Sequence, residues 1–502
     1  MSERVEYLAR IKQFLYKGIR VSSGKQVVDY LVQCLCRLPR GDGIGKCPKN
    51  VINGNMYVHN RIEDWFVSKI NECLQNKLIK EVAREAPCVK LRNNLSVYIR
   101  DISIKSHGPD EELYSKHEIL RAHIPRGLTL LSIRDETGLQ VMEDVVICAL
   151  RKFPGATPED DDDTDQAYHP HRKGSSSSQD FERDKYFLKP PHESKLVVAT
   201  EKINGEMAHV SGRFIGNEFY FIAGSKNVHL VFQTEEDISH YTEERYSIAS
   251  RIALAFLKKW QSLESFTASW LQIFFHHTRT TLVCEIKLPD HQHVVSFGSL
   301  SQDELVVIAL TPPPQEDCQS LTALPEETTL QFFSMLGFCV TQYECVEYIA
   351  AKNLFLETRL KWNTEGIVCY YEDSNRNTIG ILKLKSQFYI HLRALRQQAS
   401  YRYVSKKSAK NPQKTLEEAK GKSRRRMEEL RDWLQTSSEQ LQCWQQLSDY
   451  WFEWLDVQDK SKSFELSQVR NNFPAVFGPF SSSSQNVVDV LRRLEMGSPA
   501  KI

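Results

Sequence analysis

An α+β fold built on antiparallel sheets is the class this sequence predicts, and three observations predict it. Residues 195 to 390 carry a succession of apolar strand-like runs with helices between them but no regular βαβ alternation. Helical periodicity lies on both sides of that stretch, in Trp65, Ile70, Cys73 and Leu74 before it and from Trp433 to Leu455 after it. The length, 502 residues, exceeds what one hydrophobic core organises, so sheets and helices are expected to segregate into domains.

Residues 1–115 form the first expected unit, mostly helical, with Tyr7, Leu8, Ile11, Phe14 and Leu15 at helical spacing. Within it, Arg40-Gly41-Asp42-Gly43-Ile44-Gly45-Lys46-Cys47 superficially suggests a phosphate loop. It lacks the first glycine and the Ser or Thr after the lysine, and a flexible loop is expected. Cys34, Cys36 and Cys47 lack a fourth nearby ligand for zinc. Strand character starts at Val97-Tyr98-Ile99 and continues through Leu128–Ile133 and Val145–Ile147.

The second unit, 116–392, is interrupted at about 157–180. Glu159 to Asp165, His169-Pro170-His171 and Ser175 to Ser178 cannot bury enough apolar surface to offset their ordering entropy, so disorder is expected. Leu196–Glu201 is the next strand, and Gly216-Asn217 turns a hairpin. Ile248, Ile252, Ala255, Phe256 and Trp260 share one helix face. Strands are expected at Thr281–Ile286, Val294–Phe297 and Leu305–Leu310, then in a hairpin from Gly366–Tyr371 to Ile379–Lys385. The third unit, 393–502, opens with twelve Lys/Arg between Arg393 and Arg426 and becomes helical, with Trp444, Leu447, Trp451 and Leu455 as its apolar pattern.

Lys+Arg 65 against Asp+Glu 64 excludes a nucleic-acid coat or an acidic disordered chain, so polyanion binding must come from local patches. No apolar run approaches the ~18 residues of a membrane span, and the Met1-Ser2-Glu3-Arg4 start lacks a signal-peptide core. Scattered cysteines inside apolar runs fit a reducing compartment. An intracellular, cytoplasmic or nuclear, monomeric protein is expected.

Five residues stand out chemically. Lys202 follows an apolar strand and precedes Gly205, a strand-to-turn position able to face a cleft. Glu285 ends an apolar run, where a core-facing carboxylate is costly unless partnered. Glu365 precedes Gly366-Ile367-Val368, and Lys383 and Lys385 alternate with leucines, so their ammonium groups share a strand face. Individually each has a bland reading as a surface lysine or strand-end carboxylate.

As a set, Lys202-x-x-Gly205, Glu285, Glu365-Gly366-Ile367-Val368 and Lys383-x-Lys385 resemble the collinear motifs of covalent nucleotidyltransferases, above all ATP-dependent 5′-3′ RNA ligases. Arg126-Gly127-Leu128, Arg151-Lys152-Phe153, Gly224-Ser225-Lys226 and His291-Gln292-His293-Val294-Val295 with Leu305-Val306-Val307 are similar to further segments of that family. The resemblance spans roughly residues 120 to 395. It implies an antiparallel-sheet nucleotidyltransferase core and a lysyl-AMP intermediate on Lys202. It further implies nucleotide contacts from Glu201, Asn204, Gly205, Lys226, Glu285, Lys383 and Lys385, and Glu365 as the residue organising Mg2+ or Mn2+. ATP and RNA bearing 5′-phosphate and 3′-hydroxyl ends are the implied substrates. The basic stretch from Arg393 is the implied guide for the strand, and no OB-like succession of strands follows Lys385. A DNA ligase or mRNA guanylyltransferase on the same fold, or an inactive RNA-binding protein, remain the alternatives.

Overall fold

The structure, a computed structural model, describes residues 62–91, 94–106, 110–157, 160, 183–216, 218–400, 412–461 and 467–496. The helical pattern of Tyr7–Leu15, the Arg40–Cys47 loop and its cysteines, and most of the acidic insertion lie outside the described residues.

Three antiparallel-rich sheets organise these residues. The first, β1 (Ile79–Glu85), β2 (Ser96–Ile104), β3 (Leu128–Arg134) and β4 (Gln140–Cys148), is a meander in that order. It is flanked by α1 (Asp64–Gln75), α2 (Asp110–Lys116) and α3 (Glu118–His123). Residues 62–115 are therefore not mostly helical, and β2 pairs with β3 across the boundary expected at 115. β1 escapes sequence pattern because it is an edge strand, with Glu81 holding Arg100 on β2 where an apolar side chain would mark the period.

The second sheet has six strands, ordered β11-β10-β9-β6-β7-β8. They are β6 (Glu206–Ile215), β7 (Glu218–Ser225), β8 (Val228–Phe232), β9 (Thr281–Lys287), β10 (Glu304–Thr311) and β11 (Cys339–Val340). One face is covered by α4 (Glu235–Ser239), α5 (Ser247–Gln261), α6 (Ser265–Thr278) and α7 (Glu326–Met335), through Ala208, Val210, Phe221, Cys284 and Ile286. The other face is shared. Ile222 and Val231 meet the first sheet at Val97, Leu131 and Ile147. Val283 and Ala309 meet Val198, Tyr370 and Ile381 of the third sheet.

That third sheet is β12-β5-β13-β14, from β5 (Leu196–Glu201), β12 (Tyr343–Glu347), β13 (Gly366–Glu372) and β14 (Thr378–Lys385). Its outer face, Val197, Ala199, Cys369, Leu382 and Leu384, packs on Ala351 and Leu354 of α8 (Ala351–Leu360). The expected strand at Val294–Phe297 is absent: this stretch is loop, because its backbone is used by side chains, Val294 and Val295 N–H donating to Asn204 Oδ1.

After Lys385 every regular element among the described residues is a helix: α9 (Gln387–Gln398), α10 (Pro412–Leu434), α11 (Ser438–Ser461), α12 (Gln468–Asn471), α13 (Phe473–Ser481) and α14 (Gln485–Met496). Trp444, Leu447, Trp451 and Leu455 form their core with Leu392, Leu430 and Phe480. Trp362, from the loop before β13, stacks with Trp444 and packs on Phe388, joining this bundle to the third sheet. No helix among the described residues is long and apolar enough to cross a membrane.

Candidate active site

Sheet register assembles the site. Across β5, β13 and β14, Thr200 is opposite Val368, which is opposite Lys383, and Gly366 is opposite Lys385. Lys202 N–H donates to Gly366 O at 2.9 Å, extending the next row. Lys202, Lys383 and Lys385 thus share one face, the face that carries Val198, Tyr370 and Ile381. Lys202 and Lys385 sit two strand spacings apart in backbone terms, about 9.6 Å. Glu285 projects from β9 on the same side as Val283, toward the same interspace.

Beside Lys202 and Glu365 lies a cavity of about 710 Å³, lined by Glu201, Lys202, Asn204, Lys287, Ser296 and Glu365 among others; Glu285, Lys383 and Lys385 are not among its lining residues. At its wall Lys202 Nζ lies 2.8 Å from Glu365 Oε1. Glu365 is 3 % exposed, and its second oxygen accepts from Asn204 Nδ2 at 2.7 Å. Burial pushes the Glu285 carboxyl up to about 8, Lys202 opposing and the Glu365 and Glu206 carboxylates adding to the rise. Lys383 and Lys385 are 3 % and 0 % exposed, and Lys385 Nζ lies 5.5 Å from the centroid of the Tyr389 ring.

Local rules fix these positions. Gly366 has φ 141°, and a Cβ there would fall 2.0 Å from Leu384 O, so only glycine lets β13 start beside Lys385. Ser386 ends β14: its N–H donates to Glu365 O, and its hydroxyl accepts from Tyr389 N–H as the N-cap of α9. The same helix therefore starts within two residues of Lys385 and brings Tyr389 to Asn204, 3.3 Å from its Nδ2.

Several expectations change in three dimensions. The space beside Gly205 is filled by β9, since a Cβ would meet Ile286 O at 2.3 Å, so the glycine lets the chain pass close to that strand. Glu201 N–H donates to Gln342 O and its carbonyl accepts from Thr341 Oγ1, so backbone beside Lys202 is engaged within the sheet, while the Glu201 side chain is exposed at the cavity. Asn204 has its amide fully used: two backbone N–H groups at Oδ1, and Glu365 and Tyr389 at Nδ2. It is a positioning residue.

Lys226 does not line the cavity. It joins Asp110 at 3.3 Å, where Arg126 pairs with Asp110 and Glu111, and Lys152 with Glu111 at 2.5 Å. Burial lowers the Lys226 pKa, with Arg126 adding to the fall and Asp110 opposing. The carboxyls of Asp110 and Glu111 stay below their ordinary range because the neighbouring cations outweigh burial. Sequence reasoning missed α2 as the acidic partner of these three cations; its Asp110-Glu111-Glu112 first turn is the available signal.

The acidic insertion likewise contributes a structural residue. Asp160 is fully buried, accepts from Lys385 N–H at 2.8 Å and from both Arg359 terminal nitrogens at 2.8 and 2.7 Å. Disorder does not extend to it. Pro154 and Gly155 run alongside β14, Pro154 O accepting from Lys383 N–H and Lys383 O from Ala156 N–H. In the basic stretch, Arg393 and Arg396 are buried in α9, and Lys420, Arg424 and Arg426 pair with Glu453, Asp449 and Glu429; residues 401–411 lie outside the described residues. Lys420 and Arg424 thus join α10 to α11, while Arg426 pairs within α10.

No family model matches the chain, and no curated protein matches it in sequence. Among solved structures it is similar to two archaeal ATP-dependent RNA ligase structures. Form 1 has 11% identity, a TM-score of 0.36 and coverage of 85% of this chain and 86% of that one. Form 2 has 13% identity, a TM-score of 0.31 and coverage of 61% and 70%. A Naegleria gruberi RNA ligase mutant has 10% identity, a TM-score of 0.28 and coverage of 62% and 97%. Likeness at this level carries no weight for function, which must be read from the side chains.

Proposed function

We propose that this chain is an ATP-dependent RNA ligase that works through a covalent lysyl-AMP on Lys202. The observation that carries the reading is the placement of Lys202 against Glu365 at a cavity wall, with Glu285, Lys383 and Lys385 facing the same interspace.

Lys202 Nζ attacks the α-phosphorus of ATP; the N–P bond forms, the bond to the β-phosphate oxygen breaks, and pyrophosphate leaves. Attack needs the neutral amine, so the ammonium must first give up its proton and its contact with Glu365. Glu285 and Glu365 suit a divalent cation. Burial and the neighbouring carboxylates raise the Glu285 carboxyl to about 8, and a nearby positive charge would favour its ionised form. Glu365, with Glu285 facing the same interspace, would hold Mg2+ or Mn2+, which would supply charge against the triphosphate. Lys383 and Lys385 stabilise the negative charge that develops on the α-phosphate, the usual source of rate in phosphoryl transfer.

AMP then passes from Lys202 to an RNA 5′-phosphate. A 3′-hydroxyl attacks that activated end, forming the phosphodiester and releasing AMP. Incubation with α-labelled ATP and Mg2+ or Mn2+ tests the first step: label should attach through an acid-labile, alkali-stable bond. Absence of labelling favours an inactive RNA-binding protein, labelling from GTP a guanylyltransferase, and sealing of nicked DNA over RNA a DNA ligase.

A further inference from the structure

Apart from the cleft, the described residues contain a cluster of three metal-ligand side chains with converging donor atoms, Glu206, His291 and His293. Glu206 Oε1 lies 3.2 Å from His291 Nε2 and 3.1 Å from His293 Nε2, and all three donor atoms fall within 4.8 Å of one another. Glu206 opens β6 opposite Ile286, on the helix-covered face of the six-stranded sheet, whereas Glu285, opposite Met207, looks into the cleft. His291 and His293 flank Gln292 in the loop after β9, and their rings meet at 78° with centroids 5.3 Å apart. Alternate positions of an extended segment put both imidazoles on one side.

We propose that Glu206, His291 and His293 bind one divalent transition-metal ion of the Zn2+ class. Two imidazole nitrogens and one carboxylate oxygen are the ligands that such a borderline cation takes, leaving a fourth position for water. Metal–ligand bonds of about 2.0–2.2 Å at a tetrahedral angle separate adjacent donor atoms by roughly 3.3 Å, close to both Glu206 contacts. The side chains are 33 %, 35 % and 25 % exposed for Glu206, His291 and His293, so an ion reaches them from solvent. Arg251, whose partner Asp290 adjoins His291, is committed to Asp290 and Asp303. On binding, each Nε2 would exchange its hydrogen bond to Glu206 for a metal bond, with the ring proton on Nδ1.

The site lies where sheets and helices meet. Its loop is tied on other sides to Asn204, through Val294 and Val295 N–H, and to the helical domain, where Phe473 N–H donates to Gln292 O at 3.3 Å and Val294 enters the helical core. A metal linking this loop to Glu206 fixes the joint between sheets and helices. The inference is independent of the ligase reading.

The test uses full-length protein stripped with a chelator, then titrated with Co2+ and Zn2+. One equivalent of metal should survive dialysis, Co2+ should give visible absorption bands that Zn2+ displaces, and Zn2+ should raise the melting temperature by several degrees. His291→Ala with His293→Ala should lose the metal and the thermal shift, whereas Lys202→Ala keeps both. Should the double variant not fold, His293→Gln, which preserves a hydrogen bond to Glu206, must lose the Co2+ bands. No stoichiometric binding by the unaltered protein at micromolar free Zn2+ would leave a hydrogen-bonded triad only and overturn the proposal. Undiminished binding in His293→Gln would do so as well.

Discussion

Lys202 Nζ lies 2.8 Å from Glu365 Oε1, an ammonium and a buried carboxylate meeting at the ends of adjacent strands. The proposed nucleophile is therefore held in an ion pair until another cation competes for Glu365.

Removing the amine removes the first chemical step. Lys202→Ala is expected to abolish labelling by α-labelled ATP, and Lys202→Arg to do the same because guanidinium stays protonated. Lys383→Ala and Lys385→Ala should slow transfer by about 10²–10³-fold, the scale of losing one charge-stabilising donor. Circular dichroism checks that the variants fold; full labelling of Lys202→Ala identifies a different nucleophile.

Glu285 gives the fold a pH signature. Its carboxyl is raised to about 8, chiefly by burial, above the ordinary carboxylate value of 4.5, so the folded chain binds a proton there that the unfolded chain has released. Stability from this group is present below about 4.5 and is lost as pH rises through about 8. Glu285→Gln should flatten that decline and stabilise the alkaline protein by on the order of 2 kcal/mol. Urea midpoints measured across the range for both proteins decide it.

Gly366→Ala tests the start of β13. The substitution forces a side chain into positive φ and against Leu384 O, a cost of about 3 kcal/mol or more. A drop in melting temperature of several degrees is expected, together with lost nucleotide labelling, since Lys385 and Glu365 both hinge on that residue. An unchanged melting curve contradicts the geometry.

Asn204 separates positioning from chemistry. Asn204→Asp keeps an acceptor for Val294 and Val295 N–H but sets a second carboxylate against Glu365. Asn204→Ala leaves those N–H groups unpaired and should cost about 1–3 kcal/mol. The expectation is a larger labelling defect in the Asp variant and a larger stability defect in the Ala variant; equal losses in both assays argue against the split.

Much of the face that carries Lys202, Lys383 and Lys385 was legible in order along the chain. Leu196–Glu201, Gly366–Tyr371 and Ile379–Lys385 are apolar runs with period-two charges, and strand formation depends on that local pattern. Glu285 was visible as a carboxylate in an apolar strand, a cost that requires a partner. By contrast, β1 was hidden by its charged edge, and the loop at Val294–Phe297 was mistaken for a strand because its alternation is real but its hydrogen bonds go to a side chain.

By itself the sequence determined the class of fold, through its strand and helix patterns, and it singled out Lys202, Glu365, Lys383 and Lys385 through their resemblance as a set to the motifs of covalent nucleotidyltransferases. Only the tertiary structure decided that Lys226 sits with Asp110, that Asp160 is buried under Lys385, and that Glu206 meets two histidines from a distant loop. Those pairings join residues remote along the chain, and local periodicity carries no information about which remote charge will be brought within Coulomb range.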